Sequence, residues 1–217
     1  TLDNIPKGLS IVGQEPKVGE GLAVLELKSS LSIASEVPID AFHFENLIIK
    51  VDADNFFRFK HQQFYVKTIS WKNCEISDLK RTMWYQEVDA DQKQIVDRVC
   101  IENCRILGLN SGKSGLFGLS TKQDAPIHAF EFRNSTFHAN DMTKALITGV
   151  SSMKGNLDIV VENCTFVATK AGMTFFDLNA KNITNGSVTI KNNLFSGEVD
   201  ADNGTCLLYT SPSPRDA

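Results

Sequence analysis

The chain has 217 residues, 42% apolar and 22% charged, a balance that suits a folded core rather than a disordered segment. Lys and Arg number 22 against 26 Asp and Glu, and a net charge of −4 argues against a general nucleic-acid binder. No apolar run approaches the roughly twenty residues that a helical membrane span needs.

In chain order, the first signal is LSIVGQ (9–14), followed by FENLII (44–49), WKNCEI (71–76), IENCRI (101–106), FRNSTF (132–137), VENCTF (161–166) and IKNNLF (190–195). The last six align without gaps on Asn46, Asn73, Asn103, Asn134, Asn163 and Asn192, at intervals of 27, 30, 31, 29 and 29 residues. The first copy is degenerate and carries Gly13 in the Asn position. Asn and Gly both tolerate a left-handed backbone, so each such position is expected to form a tight turn between two short strands. Apolar residues alternate with period two on either side of the turn, as in half-buried strands. A further apolar stretch follows each of the first five Asn: FFRF (56–59), MWYQ (83–86), LFGL (116–119), ALIT (145–148) and TFFDL (174–178). AVLELK (23–28) is read as the equivalent stretch after Gly13.

Three short strands per repeat predict an all-β parallel β-helix of about seven coils of 27–33 residues. The position before each turn reads Glu45, Lys72, Glu102, Arg133, Glu162, Lys191. The sign alternates from coil to coil, as stacked strands about 4.8 Å apart would favour. No run has the 3.6-residue period of a helical solenoid.

These turns resemble the asparagine ladder of the pectin-lyase-like superfamily of right-handed parallel β-helices. IENCRI and VENCTF resemble coils of secreted bacterial, pectate-lyase-like proteins of unknown function. The resemblance covers residues 8 to 205. It implies a secreted or cell-surface location and a polysaccharide partner, and leaves activity open, because this fold carries many functions.

Cys74, Cys104 and Cys164 fall in one inward column and are read as packing residues. Parallel stacked side chains match disulfide geometry poorly. The tripeptide Asp-Ala-Asp occurs at Asp52/Asp54, Asp89/Asp91 and Asp200/Asp202. Paired carboxylates on a turn can bind Ca2+, but their unequal offsets from the ladder favour solvated acidic turns.

Chemistry is expected on the outward face of the third strand. That face would present Glu26, Trp84, Gln86 and Asp177 as substrate-binding residues, with Trp84 stacking on a sugar ring. Arg58 or Lys60 would neutralise a uronate carboxylate or act as base in β-elimination. A one-residue slip in MWYQ would instead bury Trp84. Three functions are carried forward: a carbohydrate-interacting module, a polysaccharide lyase acting on acidic glycans, and a structural or adhesin-type shaft. The complete protein is expected to be a monomer.

Both ends look cut. Residues 206–217, CLLYTSPSPRDA, read as a translated transposase sequencing adapter and are set apart from fold reasoning. Residues 1–205 are expected to form a single domain that continues past Thr205. At Thr1, a removed signal peptide and a missing start are both open readings.

Overall fold

The computed structural model describes residues 1–59, 63–85, 94–109, 116–118, 127–140, 146–148, 155–169, 175 and 183–196. They form an all-β parallel solenoid. One seven-stranded sheet stacks Gly8–Val12, Ile39–Glu45, Phe64–Lys72, Gln94–Glu102, Ile127–Arg133, Asp158–Glu162 and Val188–Lys191. A second stacks Ala23–Leu27, Leu47–Val51, Glu75–Ser77, Arg105–Leu109, Thr136–Ala139, Thr165–Ala168 and Leu194–Ser196. A third face is built from Leu2–Asp3, Leu31–Ala34 and Phe57–Phe59, then from Trp84–Tyr85, Phe117–Gly118 and Ile147–Thr148. Five coils show all three strands among the described residues, and the last two show only the first and second. The expectation of about seven coils is corrected to that extent.

The turn between the first and second strands is where sequence and backbone meet. Asn46, Asn73, Asn103, Asn134, Asn163 and Asn192 all have φ between 51° and 56°, the left-handed region. Their amides link coils along the axis, from Asn73 to Asn46 at 3.0 Å, Asn103 to Asn73 at 3.1 Å and Asn163 to Asn134 at 3.2 Å. The ladder runs along an outer corner: Asn46 is buried, but Asn103, Asn134, Asn163 and Asn192 are exposed. Gly13 departs from expectation, since its φ is not positive. Glycine is required there by close approach: an added Cβ would lie 2.2 Å from the Asn46 carbonyl oxygen.

The residue after each Asn points inward and does more than fill space. Cys74, Cys104 and Cys164 direct their thiols to the carbonyls of Lys72, Glu102 and Glu162 at 3.2–3.3 Å, and the Ser135 hydroxyl donates to Arg133 at 2.7 Å. Each side chain also accepts from the backbone N–H one coil below. Cys74 N–H reaches the Cys104 sulfur at 3.4 Å, Cys104 N–H the Ser135 hydroxyl at 3.0 Å, and Cys164 N–H the Asn193 amide oxygen at 2.8 Å. A buried turn amide needs such a partner. All four described cysteines are free.

Inside, the core is a set of columns along the axis. Phe44 lies over Trp71, and Phe137, Phe166 and Phe195 stack at centroid spacings of 5.1 and 4.9 Å. Trp71 and Trp84 bury their indole N–H groups without a hydrogen-bond partner. Each ring sits edge-to-face with phenylalanine, Trp71 against Phe56 and Trp84 against Phe59 and Phe117. Outside, the alternating column is in register, Glu45–Lys72–Glu102–Arg133–Glu162–Lys191, with ion pairs between Lys72 and Glu45 at 3.4 Å and between Arg133 and Glu162.

Candidate functional site

Of the residues expected to share one groove, the described ones, Arg58, Glu26 and Trp84, lie apart. Arg58 is exposed on the third face, where its strand neighbour is Ser32. Glu26 lies on the second sheet, opposite Lys50. The cause is the first coil, in which residues 14–22 form a long loop in place of the tight turn. The loop displaces the later elements of that coil, so AVLELK is a second strand and the true third strand is Leu31–Ala34. Trp84 is a second correction: it is 1% exposed and packs in the core. At this corner two successive residues face inward, Phe56–Phe57, Met83–Trp84, Leu116–Phe117 and Leu146–Ile147, so strict alternation fails. Trp84 pairs with Phe117 and Phe117 with Ile147, which places Trp84 in an inward column. Lys60, Gln86 and Asp177 lie outside the described residues, as do Asp89/Asp91 and Asp200/Asp202.

Glu26 belongs instead to a depression of about 410 Å³ lined by Glu26, Lys28, Lys50, Asp52, Asp78 and Lys80. The second sheet supplies Glu26 and Lys50 from adjacent strands, on the same outward column. The corners that follow three successive strands supply Lys28, Asp52, Asp78 and Lys80. Lys28 pairs with Glu26 at 3.1 Å and Lys80 with Asp52 at 2.7 Å. Lys50 lies between them with no ion-pair partner within 4 Å among the described residues. Hydrogen bonding and attraction from Lys80 hold Asp52 below the ordinary aspartate value of 3.8, and Asp52 in turn raises Lys80. Each is thereby fixed in its charged form at neutral pH, so this pair suits binding and not proton transfer. Asp52 is committed to Lys80, and among the described residues no three His, Cys, Asp or Glu side chains group as metal ligands.

The outward face of the first sheet holds a network that sequence reading missed. His43 Nδ1 lies 2.8 Å from the Ser70 hydroxyl, and His43 Nε2 lies 3.0 Å from Glu45 Oε2. The repeat register contains the signal: His43 and Ser70 each stand three residues before their ladder Asn, and the sheet pairs them directly. On the same face Asp97 holds His128 at 2.9 Å and accepts from the Tyr65 hydroxyl. That hydrogen bond raises the Tyr65 phenol. Burial pushes the Cys100 thiol up to about 11, and Cys104, hydrogen-bonded to Cys74, and buried Cys164 are raised as well. These three thiols are not thiolates at neutral pH, and thiolate is the nucleophilic form.

Comparison with protein-family models, with curated proteins and with solved structures finds no match to this chain. The parallel β-solenoid architecture is consistent with the superfamily its turns resemble.

Proposed function

We propose that the chain is a carbohydrate-interacting β-solenoid module, secreted or displayed at a cell surface, that holds a polysaccharide without breaking its glycosidic bonds. The observation that carries this reading is the second-sheet depression, in which Lys50, without an ion-pair partner among the described residues, is flanked by the ion-paired Lys28 and Lys80. Charged groups fixed by their partners are ready donors and acceptors for sugar hydroxyls, and Lys50 can take a glycan carboxylate or sulfate. Sheet strands repeat at about 4.8 Å, so the surface offers polar groups, here Glu26, Lys50 and Ser77, at regular steps to an extended chain.

The test is calorimetric titration with neutral and acidic polysaccharides, read for wild type and for Lys50→Ala. Binding weakened about tenfold by Lys50→Ala, some 1.4 kcal/mol, is the expected result. No binding to any chain overturns the reading and leaves the structural shaft, which the axially paired charges also suit. The same mixtures report on the lyase reading. It predicts new ultraviolet absorbance from unsaturated uronates, lost in Arg58→Ala, and among the described residues Arg58 alone remains of its expected machinery.

A further inference from the structure

We infer that Ser70 is an activated nucleophile, with His43 as its general base and Glu45 orienting the imidazole, and that this face of the first sheet hydrolyses small O-acyl esters. The inference goes beyond glycan binding and stands independently of it, because it involves a different sheet.

The tautomer follows from elementary chemistry. A carboxylate only accepts hydrogen bonds, so the imidazole proton facing Glu45 Oε2 at 3.0 Å belongs to His43 Nε2. The Nδ1 lone pair is then free to accept from the Ser70 hydroxyl at 2.8 Å, a much shorter contact than the 3.5 Å from that hydroxyl to the Phe42 carbonyl, its other acceptor. Glu45 is itself anchored, with its other oxygen 3.4 Å from Lys72 Nζ, and the hydrogen bond from His43 holds its carboxyl below the usual glutamate value. It therefore remains an acceptor at neutral pH. Nucleophile, base and orienting acid thus stand in one chain of hydrogen bonds, which is the arrangement that activates a serine.

The fold fixes this geometry from two strands. His43 and Glu45 are two residues apart on Ile39–Glu45 and so share its outward face, and Ser70 sits directly opposite His43 on Phe64–Lys72. All three are half-buried. Backbone N–H groups within the sheet are engaged in its ladder, so the oxyanion falls to a side chain. Lys72, two residues beyond Ser70 on the same strand and paired with Glu45, is the cation of this face.

In the reaction, Ser70 Oγ attacks the acyl carbon as its proton passes to His43 Nδ1. The tetrahedral oxyanion collapses, the ester C–O bond breaks, and the alcohol leaves with the proton from His43. Water, deprotonated by His43, attacks the acyl-serine. Collapse releases the carboxylic acid and returns the proton to Ser70. No oxidant or metal is needed.

The test treats the full chain with a fluorophosphonate probe and locates the adduct by peptide mass spectrometry. A single adduct on Ser70 is expected. His43→Gln and, as a second variant, His43→Asn should each slow labelling about 100-fold or more, with unchanged far-ultraviolet circular dichroism. Ser70→Ala should abolish it. Failure of the folded wild-type chain to label at Ser70 overturns the inference. So does labelling at Ser70 whose rate is unchanged in both His43 variants, which would reduce Ser70 to an ordinary exposed hydroxyl.

Discussion

Asn103 has φ 52° and donates its side-chain amide to Asn73 at 3.1 Å, so one residue serves the backbone and the axial ladder together. The two contributions can be separated. Asn103→Gly keeps the left-handed turn at low cost and loses the amide bond, for an expected destabilisation of about 1 kcal/mol. Asn103→Ala loses the bond and forces a Cβ into the left-handed region, for about 2–3 kcal/mol. Urea unfolding of both variants checks the order. Equal losses would mean that the turn carries no backbone strain. The neighbouring column works in the same spirit, since the Cys104 sulfur accepts from Cys74 N–H and points its own hydrogen at Glu102. A thiol there closes a turn that a purely apolar side chain would leave with an unpaired amide.

At the scale of the element, the outward column of alternating charge decides which register of stacked strands is favoured. Arg133 lies between Glu102 and Glu162 and also approaches Glu131 at 3.9 Å. Single surface ion pairs contribute little, but a like charge placed directly opposite its neighbours is destabilising. Arg133→Glu would set three carboxylates in succession, and we expect a loss of about 1–2 kcal/mol. The loss should shrink in about 1 M salt, where screening is nearly complete beyond a few ångströms. Unfolding curves at low and high salt measure both. A salt-independent loss would point to altered packing of the arginine stem instead.

At the scale of the whole molecule, a solenoid buries each coil only against its neighbours, so its end coils expose strand edges. Gly8–Val12 and Ala23–Leu27 are the terminal strands of the two long sheets, and Val12 and Val24 are exposed on them. Such edges recruit further strands. The chain as given should therefore self-associate at high concentration, by light scattering, and Val12→Lys with Val24→Lys should reduce the association by adding edge charges. A monodisperse monomer of the unsubstituted chain counts against this.

What could be read without coordinates was whatever repeats. Six asparagines at near-constant spacing imply stacked turns because few residues other than Gly, Asn and Asp adopt that backbone readily. Alternating Glu45 and Lys72 imply axial neighbours because charge acts over the strand spacing. Features that depart from the repeat were not legible. The loop over residues 14–22 moved Glu26 onto a different sheet from Arg58, and the two-residue corner turned Trp84 inward, because a bend breaks the period-two rule on which strand reading relies. The depression gathers Lys28, Asp52 and Lys80 from three successive coils, and its ion pairs depend on how their corners bend. His43 and Ser70 could have been placed in one column from their offsets alone. That the Ser70 hydroxyl and Glu45 engage opposite nitrogens of one imidazole was decided by side-chain rotamers, which only tertiary packing selects.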